Sequence, residues 1–329
     1  MILFSRNIEA PEQVAELAAE SELLGRSSPA WVSVDQEGGR VARLKEPFTK
    51  WPPMATLGRA GAEGDRLVER FAQALAAELL AVGITLDYAP VLDIHTNPKN
   101  PVIGDRAFAE TADQVARLGR MMVRTLQSAG LAACGKHFPG HGDTSTDSHL
   151  ELPLVEHDPD RLRAVEFTPF RAAIAEQVAF MMTAHVLVPS LDETRPATLS
   201  PKVVQAILRD ELGYQGVILS DDLEMKAVSA KYDVPDAAVE AIAAGCDAVL
   251  VCSGDVDLQG RTLEALVRAV ESGRIPARRA DDATVRLRRA KERFLIGDRP
   301  GAAARIRALR TVLGREEHQL VAAEMAAYL

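Results

Sequence analysis

The sequence predicts an α/β fold, a TIM-like (β/α) barrel, on three observations. Short β-rich apolar runs alternate seven times with longer amphipathic stretches, which is the rhythm of parallel β/α units. Several runs end in a reactive side chain (Asp35, Asp87, Lys136 with His137, His185, Asp221 with Asp222), and functional groups at the C-terminal ends of many strands are the habit of that barrel. The competing doubly wound sheet would carry G-x-G-x-x-G after its first strand or a G-x-x-x-x-G-K-[ST] phosphate loop, and neither occurs. At 329 residues the chain suits one domain of this kind.

In chain order the strand-like runs are residues 2–4, 31–35, 83–88, 132–138, 179–188, 216–221 and 247–252. Alanine-rich helical stretches lie between them, among them 64–82, 112–129, 159–176 and 235–244. In the first of these, Leu67, Phe71, Leu75, Leu79 and Leu80 recur at helical spacing, so one face turns to a core. Residues 1–275 read as the barrel and catalytic domain. Residues 276–329 read as C-terminal helices packed outside it, an extension of the same domain. Neither a longer repeat nor a low-complexity tract interrupts this organisation.

Apolar residues make up 47% and charged residues 26%, ordinary usage for a folded domain. The net charge of −9 argues against nucleic acid or an anionic membrane as partner. That charge is uneven. Residues 276–329 hold twelve Lys/Arg against seven Asp/Glu, a net of +5, which leaves −14 for the rest. Cys134, Cys246 and Cys252 lack C-x-x-C spacing and read as buried thiols in a reducing compartment. No apolar run nears eighteen residues, and the opening Met1-Ile-Leu-Phe-Ser-Arg lacks the pattern of a secretory leader. The expectation is a soluble cytoplasmic protein, a monomer or weak oligomer.

The densest chemistry is residues 136–149, K-H-F-P-G-H-G-D-T-S-T-D-S-H, with three histidines, two aspartates and a lysine in a Gly/Pro loop. Such a loop on a rigid scaffold is a candidate site, although a polar surface loop with a hydrogen-bonded strand end is the plainer reading. His137, His141, His149, Asp143 and Asp147 could also ligate a metal, but no helical H-x-x-x-H pair pre-orients them, and no metal is expected. In 216–225, G-V-I-L-S-D-D-L-E-M, an apolar strand runs into tandem aspartates. Asp221 with Glu224 could cap a helix, or a carboxylate at the strand end could act as a nucleophile. In 34–43, V-D-Q-E-G-G-R-V-A-R, paired glycines allow a tight turn, and Asp35 and Arg43 could grip ligand hydroxyls or simply pair with each other. The turn 100–106, N-P-V-I-G-D-R, offers Arg106.

Together these four motifs, with T-A-H-V at 183–186 and R-P-A-T-L-S at 195–200, make the chain resemble bacterial β-N-acetylglucosaminidases of glycoside hydrolase family 3, nearest the cytoplasmic NagZ type. The similarity runs from Ile2 to about Val251, and the histidine loop marks the N-acetylglucosaminidase branch rather than the β-glucosidases. The resemblance implies Asp221 as catalytic nucleophile, His149 as general acid/base and Asp147 as its dyad partner. It implies Asp35, Arg43, Arg106, Lys136 and His137 as substrate-binding positions. The implied activity is retaining, cofactor-free hydrolysis of terminal β-N-acetylglucosamine, in the NagZ type from anhydro-muropeptides of peptidoglycan recycling.

Members of that type carry about one more strand ahead of the segment matching 2–7, so seven strands are expected here where a closed barrel wants eight. Three other readings remain open. A phosphorylase would share the first step and use phosphate as acceptor. A lysine aldolase would use Lys136 as Schiff base. A silent barrel would only bind muropeptide.

Overall fold

A computed structural model describes residues 1–24, 28–148, 151–297 and 299–329. Nine strands are present among them: β1 (Ile2–Leu3), β2 (Ser33–Val34), β3 (Gln36–Gly38), β4 (Val41–Ala42), β5 (Leu86–Asp87), β6 (Ala132–Phe138), β7 (Phe180–Thr183), β8 (Val217–Asp222) and β9 (Ala248–Leu250). Seven form one curled, all-parallel sheet in the order β1-β2-β5-β6-β7-β8-β9, and β3 and β4 make a separate antiparallel hairpin. Registers such as Val34↔Asp87, Leu86↔Ala132, Cys134↔Phe180 and Leu219↔Ala248 keep the C-terminal ends of the strands together. Between the two edges, the Arg6 guanidinium just after β1 donates to the Cys252 carbonyl just after β9. The predicted α/β barrel class is the observed one, with seven strands in its parallel sheet among the described residues.

The helices are α1 (Pro11–Leu24), α2 (Ala55–Arg59), α3 (Gly64–Ala81), α4 (Ala112–Ser128), α5 (Pro159–Ala164), α6 (Phe167–Ala175), α7 (Lys226–Ser229), α8 (Val234–Ala244), α9 (Val256–Glu271), α10 (Ala277–Phe294), α11 (Ala302–Val312) and α12 (Glu316–Ala326). The stretch expected as one helix over 159–176 is two. Pro169 has no N–H to donate and would clash with the carbonyl of Val165 in a continuous helix. The chain therefore restarts at Phe167, which puts Pro169 in a first turn, where no N–H is needed.

Because strand side chains alternate, the sheet separates two cores. Outside, helices bury Phe71, Leu75, Leu118, Phe170 and Ile218 against it. Inside lie Leu86, Tyr88, Cys134, Phe180, Met182 and Leu219. The C-terminal helices divide between these environments. α11 and α12 pack outside, against α1 and α3. α10 instead crosses the N-terminal ends of the strands and sends Leu287, Ala290 and Phe294 into the inner core. Trp31, ahead of β2, meets Phe180 edge-on at 5.0 Å and Phe294 at 6.3 Å. Buried Asp247, ahead of β9, accepts from Arg209, Arg279 and Arg286 and so ties α10 to the sheet. All three cysteines are buried and free of disulfides. Among the described residues no helix is long and apolar enough to cross a membrane.

Candidate functional site

The opposite end of the sheet, where the strands finish, gathers the charged side chains. Lys136 of β6 is only 2% exposed, and its Nζ lies 2.8 Å from Asp35 Oδ1 and 2.5 Å from Glu37 Oε1. Arg106 donates through Nε and Nη2 to both oxygens of Glu37 at 2.8 Å, a bidentate fork. Burial opposes the charge on Glu37, but Arg106 and Lys136 outweigh it and hold the carboxyl well below the usual range. Burial likewise opposes the charge on Lys136, and Asp35 and Glu37 outweigh it, leaving the ammonium above its ordinary pKa. A lysine so paired is protonated, which is the wrong state for a Schiff-base nucleophile.

Asp221 stands at the end of β8. Burial would raise its carboxyl, but the imidazoles of His137 and His185, the Asp222 amide (2.8 Å from Oδ1) and Lys136 together keep it below the ordinary value. Its neighbour Asp222 is pushed up to about 6, first by burial and then by repulsion from Glu224 and Asp221. The tandem carboxylates are thus driven apart. Asp221 is the more acidic of the pair and is ionised near neutrality, as a nucleophile must be. His185 fixes this strand end, because its Nε2 donates to the Asp222 carbonyl at 2.9 Å.

Asp35, Glu37, Arg43, Arg106, Lys136 and Asp221 line one cleft of ≈ 140 Å³, which His137 and Met182 also border. Three carboxylates face three cations there, so the cleft is polar yet nearly balanced in charge. That suits a neutral, hydroxyl-rich ligand better than an ion. Arg43 is the least committed of the cations. Its Nη2 is 3.5 Å from Asp35 Oδ2, and its buried Nε has no partner among the described residues. The hairpin that presents Arg43 turns through Gly38 and Gly39 at φ of 100° and 57°. A Cβ at Gly39 would come within 2.9 Å of Pro53, so the turn admits neither a side chain nor an ordinary φ.

The histidine loop folds over this cleft and is held from behind. Fully buried Asp93 takes the His137 imidazole at 2.7 Å and the His141 amide at 2.7 Å. Asn97 and Asn100 donate to the loop carbonyls of Asp143, Thr144 and His141. Gly142 lies so close to Ile94 that any Cβ would collide with its carbonyl. His141 is buried between Thr144 Oγ1 at 2.7 Å and Ser148 Oγ at 3.1 Å, and burial pushes its pKa down to about 4. It is therefore a neutral structural imidazole. Asp143 instead pairs with His157 at 2.5 Å. Asp147 is half-buried in the loop, and His149 lies outside the described residues. Among the described residues no three His, Cys, Asp or Glu side chains are grouped to hold a metal ion.

The structure thus brings Asp35, Arg43, Arg106, Lys136, His137 and Asp221 to one cleft from four segments of chain. Sequence reading missed Glu37 and Asp93. Glu37 is two residues beyond Asp35, and strand alternation places such residues on one face, so that signal was available. Asp93 lies past Pro90, where the strand pattern ends, and only contact with the histidine loop reveals it.

A charged cleft at the C-terminal mouth of a parallel α/β barrel, with a carboxylate at a strand end, defines a barrel enzyme site. The chain belongs to glycosyl hydrolase family 3: the family profile described as "Glycosyl hydrolase family 3 N terminal domain" matches residues 1–290. A curated β-hexosaminidase from Nitrosomonas eutropha is 41% identical over 282 residues, 84% of this chain and 80% of that protein. The solved family 3 β-N-acetylglucosaminidase from Paenibacillus sp. str. FPU-7 superposes with a TM-score of 0.91 at 43% identity. It covers 99% of this chain, which spans 62% of that longer one. NagZ from Neisseria gonorrhoeae, solved with N-trifluoroacetyl-D-glucosamine, superposes with a TM-score of 0.79 at 35% identity over 99% of this chain and 89% of its own.

Proposed function

We propose that this chain is a retaining, exo-acting β-N-acetylglucosaminidase, and the observation that carries the reading is Asp221, held ionised at a strand end in a small charge-balanced cleft. Asp221 attacks the anomeric carbon of a terminal N-acetylglucosamine as the bond to the leaving-group oxygen breaks, which forms a glycosyl-enzyme ester. His149, oriented by Asp147, gives its proton to that oxygen. It then takes one from the water that cleaves the ester and frees Asp221. An imidazole suits both transfers because its unperturbed pKa of about 6.5 lies near working pH, and an aspartate partner steadies the imidazolium. Asp35, Arg43, Arg106, Lys136 and His137 form the walls that take the sugar hydroxyls and the amide.

The motifs shared with the NagZ type, and the likeness to that enzyme from Neisseria gonorrhoeae, support an anhydro-muropeptide substrate in peptidoglycan recycling and a cytoplasmic location. Residues 276–329 serve the same domain: α10 closes the floor of the barrel, and α11 and α12 brace its wall.

Incubation with a defined muropeptide tests the proposal. The expected products are free N-acetylglucosamine of retained β configuration and the anhydro-sugar portion, with turnover unchanged by a chelator. Asp221→Asn should lose at least about a thousandfold in kcat, the scale of removing a covalent nucleophile, while its circular dichroism stays that of the wild type. An active Asp221→Asn protein, or an inverted product, overturns the mechanism. N-acetylglucosamine 1-phosphate formed in phosphate buffer would make the enzyme a phosphorylase with the same first step.

A further inference from the structure

The basic α10 has a second consequence at the floor of the barrel. Arg286, Arg289 and Arg293 recur at i, i+3 and i+7 and so share one helix face. That face borders a cleft of ≈ 300 Å³ whose far wall is built from residues immediately ahead of β7 and β8. Among the described residues no carboxylate lines it. Arg286 shares Asp247 with Arg209 and Arg279, three guanidiniums on one buried acid. Arg293 donates to the Gln177 carbonyl at 2.9 Å and lies 4.8 Å over the Phe294 ring, which positions it without neutralising it. Arg289 is exposed and meets no acid among the described residues. Behind the wall, the buried Nε of Arg209 has no partner among the described residues. The positive charge is in excess, concave and backed by the apolar side chains of Ile174, Ala290 and Phe294.

We propose that this cleft binds a small phosphorylated metabolite, with Arg286, Arg289 and Arg293 taking the phosphoryl oxygens and the apolar wall taking the carbon body. Guanidinium forks match the oxygens of a phosphoryl group bidentately, and the volume sits at the lower end of the roughly 300–1,000 Å³ of small-molecule sites. A nucleic acid would need a basic strip continuing beyond the cleft on a molecule whose net charge is −9. The site lies at the opposite end of the strands from Asp221 and does not depend on the glycosidase reading.

Thermal unfolding of the full chain tests this, with glucose 6-phosphate, inorganic phosphate and glucose as probes at constant ionic strength held by KCl. Glucose 6-phosphate should raise the Tm, inorganic phosphate should raise it less, and glucose should leave it unchanged. In the Arg289→Ala/Arg293→Ala protein the shift should vanish. In Arg289→Gln the affinity should fall by about tenfold or more, the scale of one lost charge-assisted contact. Both substituted side chains are exposed, so activity at the other end of the barrel should persist and report folding. No rise with glucose 6-phosphate, or an equal rise in the double variant, overturns the site. An equal rise with inorganic phosphate overturns the role given to the apolar wall.

Discussion

Arg43 shows how a residue's existing partners decide what it can offer a ligand. Arg106 is spent on Glu37, and Lys136 is shared between two carboxylates, so both chiefly hold the cleft in shape. Arg43 sits 3.5 Å from its nearest carboxylate and has an orphaned Nε. It is the cation with hydrogen-bonding capacity to spare. Arg43→Ala should therefore lower kcat/KM on a chromogenic N-acetylglucosaminide by about tenfold or more, since an unpaired polar group in the bound sugar costs about 1–3 kcal/mol. Unchanged far-ultraviolet dichroism would show that the fold persists, and near wild-type kinetics would place the sugar elsewhere. The residue types of this site were legible in the sequence because strand-end Asp, Lys and Arg have few structural reasons to cluster. Their pairings were not, because a 2.8 Å contact between residues 35 and 136 depends on the sheet register.

At the scale of an element, the histidine loop is held by neighbours in one segment of chain, residues 93–100. Asp93, Asn97 and Asn100 grip its first half, and Gly142 lets it pass Ile94. That bracing fixes the part of the loop that leads into Asp147. If His149 is the proton donor, His149→Ala should be slowed far more on glycosides with poor leaving groups than on activated aryl glycosides, because only the former need protonation. Asp147→Ala should follow the same trend more weakly. Equal slowing across a leaving-group series would leave His149 a structural residue. Composition placed this loop at a site, while its supports were hidden because they lie more than forty residues upstream of the groups they hold. The division of the 159–176 stretch into α5 and α6 is the converse case: its local cause, Pro169, was in plain view.

The whole molecule is a parallel sheet curled around an apolar interior, and it has to be covered at both ends. The site covers one end. α10 covers the other by burying Phe294 beneath Trp31 and Phe180. Phe294→Ala should cost about 3–5 kcal/mol, the scale of a large aromatic removed from a packed core, read as a lower denaturant midpoint with fluorescence from Trp31 and Trp51. A change under about 1 kcal/mol would mean that α10 rests on the barrel without closing it. The charge asymmetry noted in residues 276–329 acquires a physical meaning here, since part of that surplus encircles Asp247 and fixes the helix in place.

The sequence by itself determined the α/β class, the alternation that makes the sheet parallel, the end of the strands that carries chemistry, and most of the side chains that face the cleft. Those follow from local rules: period, breaker residues and the position of a polar group at the end of an apolar run. Only the tertiary structure decided that Glu37 and Asp93 belong with them, that Asp221 is more acidic than Asp222, that His141 is neutral, and that α10 closes the barrel floor. Each of those depends on burial and on charges brought together from distant parts of the chain. Desolvation and Coulomb terms depend on distance in space, and separation along the chain does not encode it.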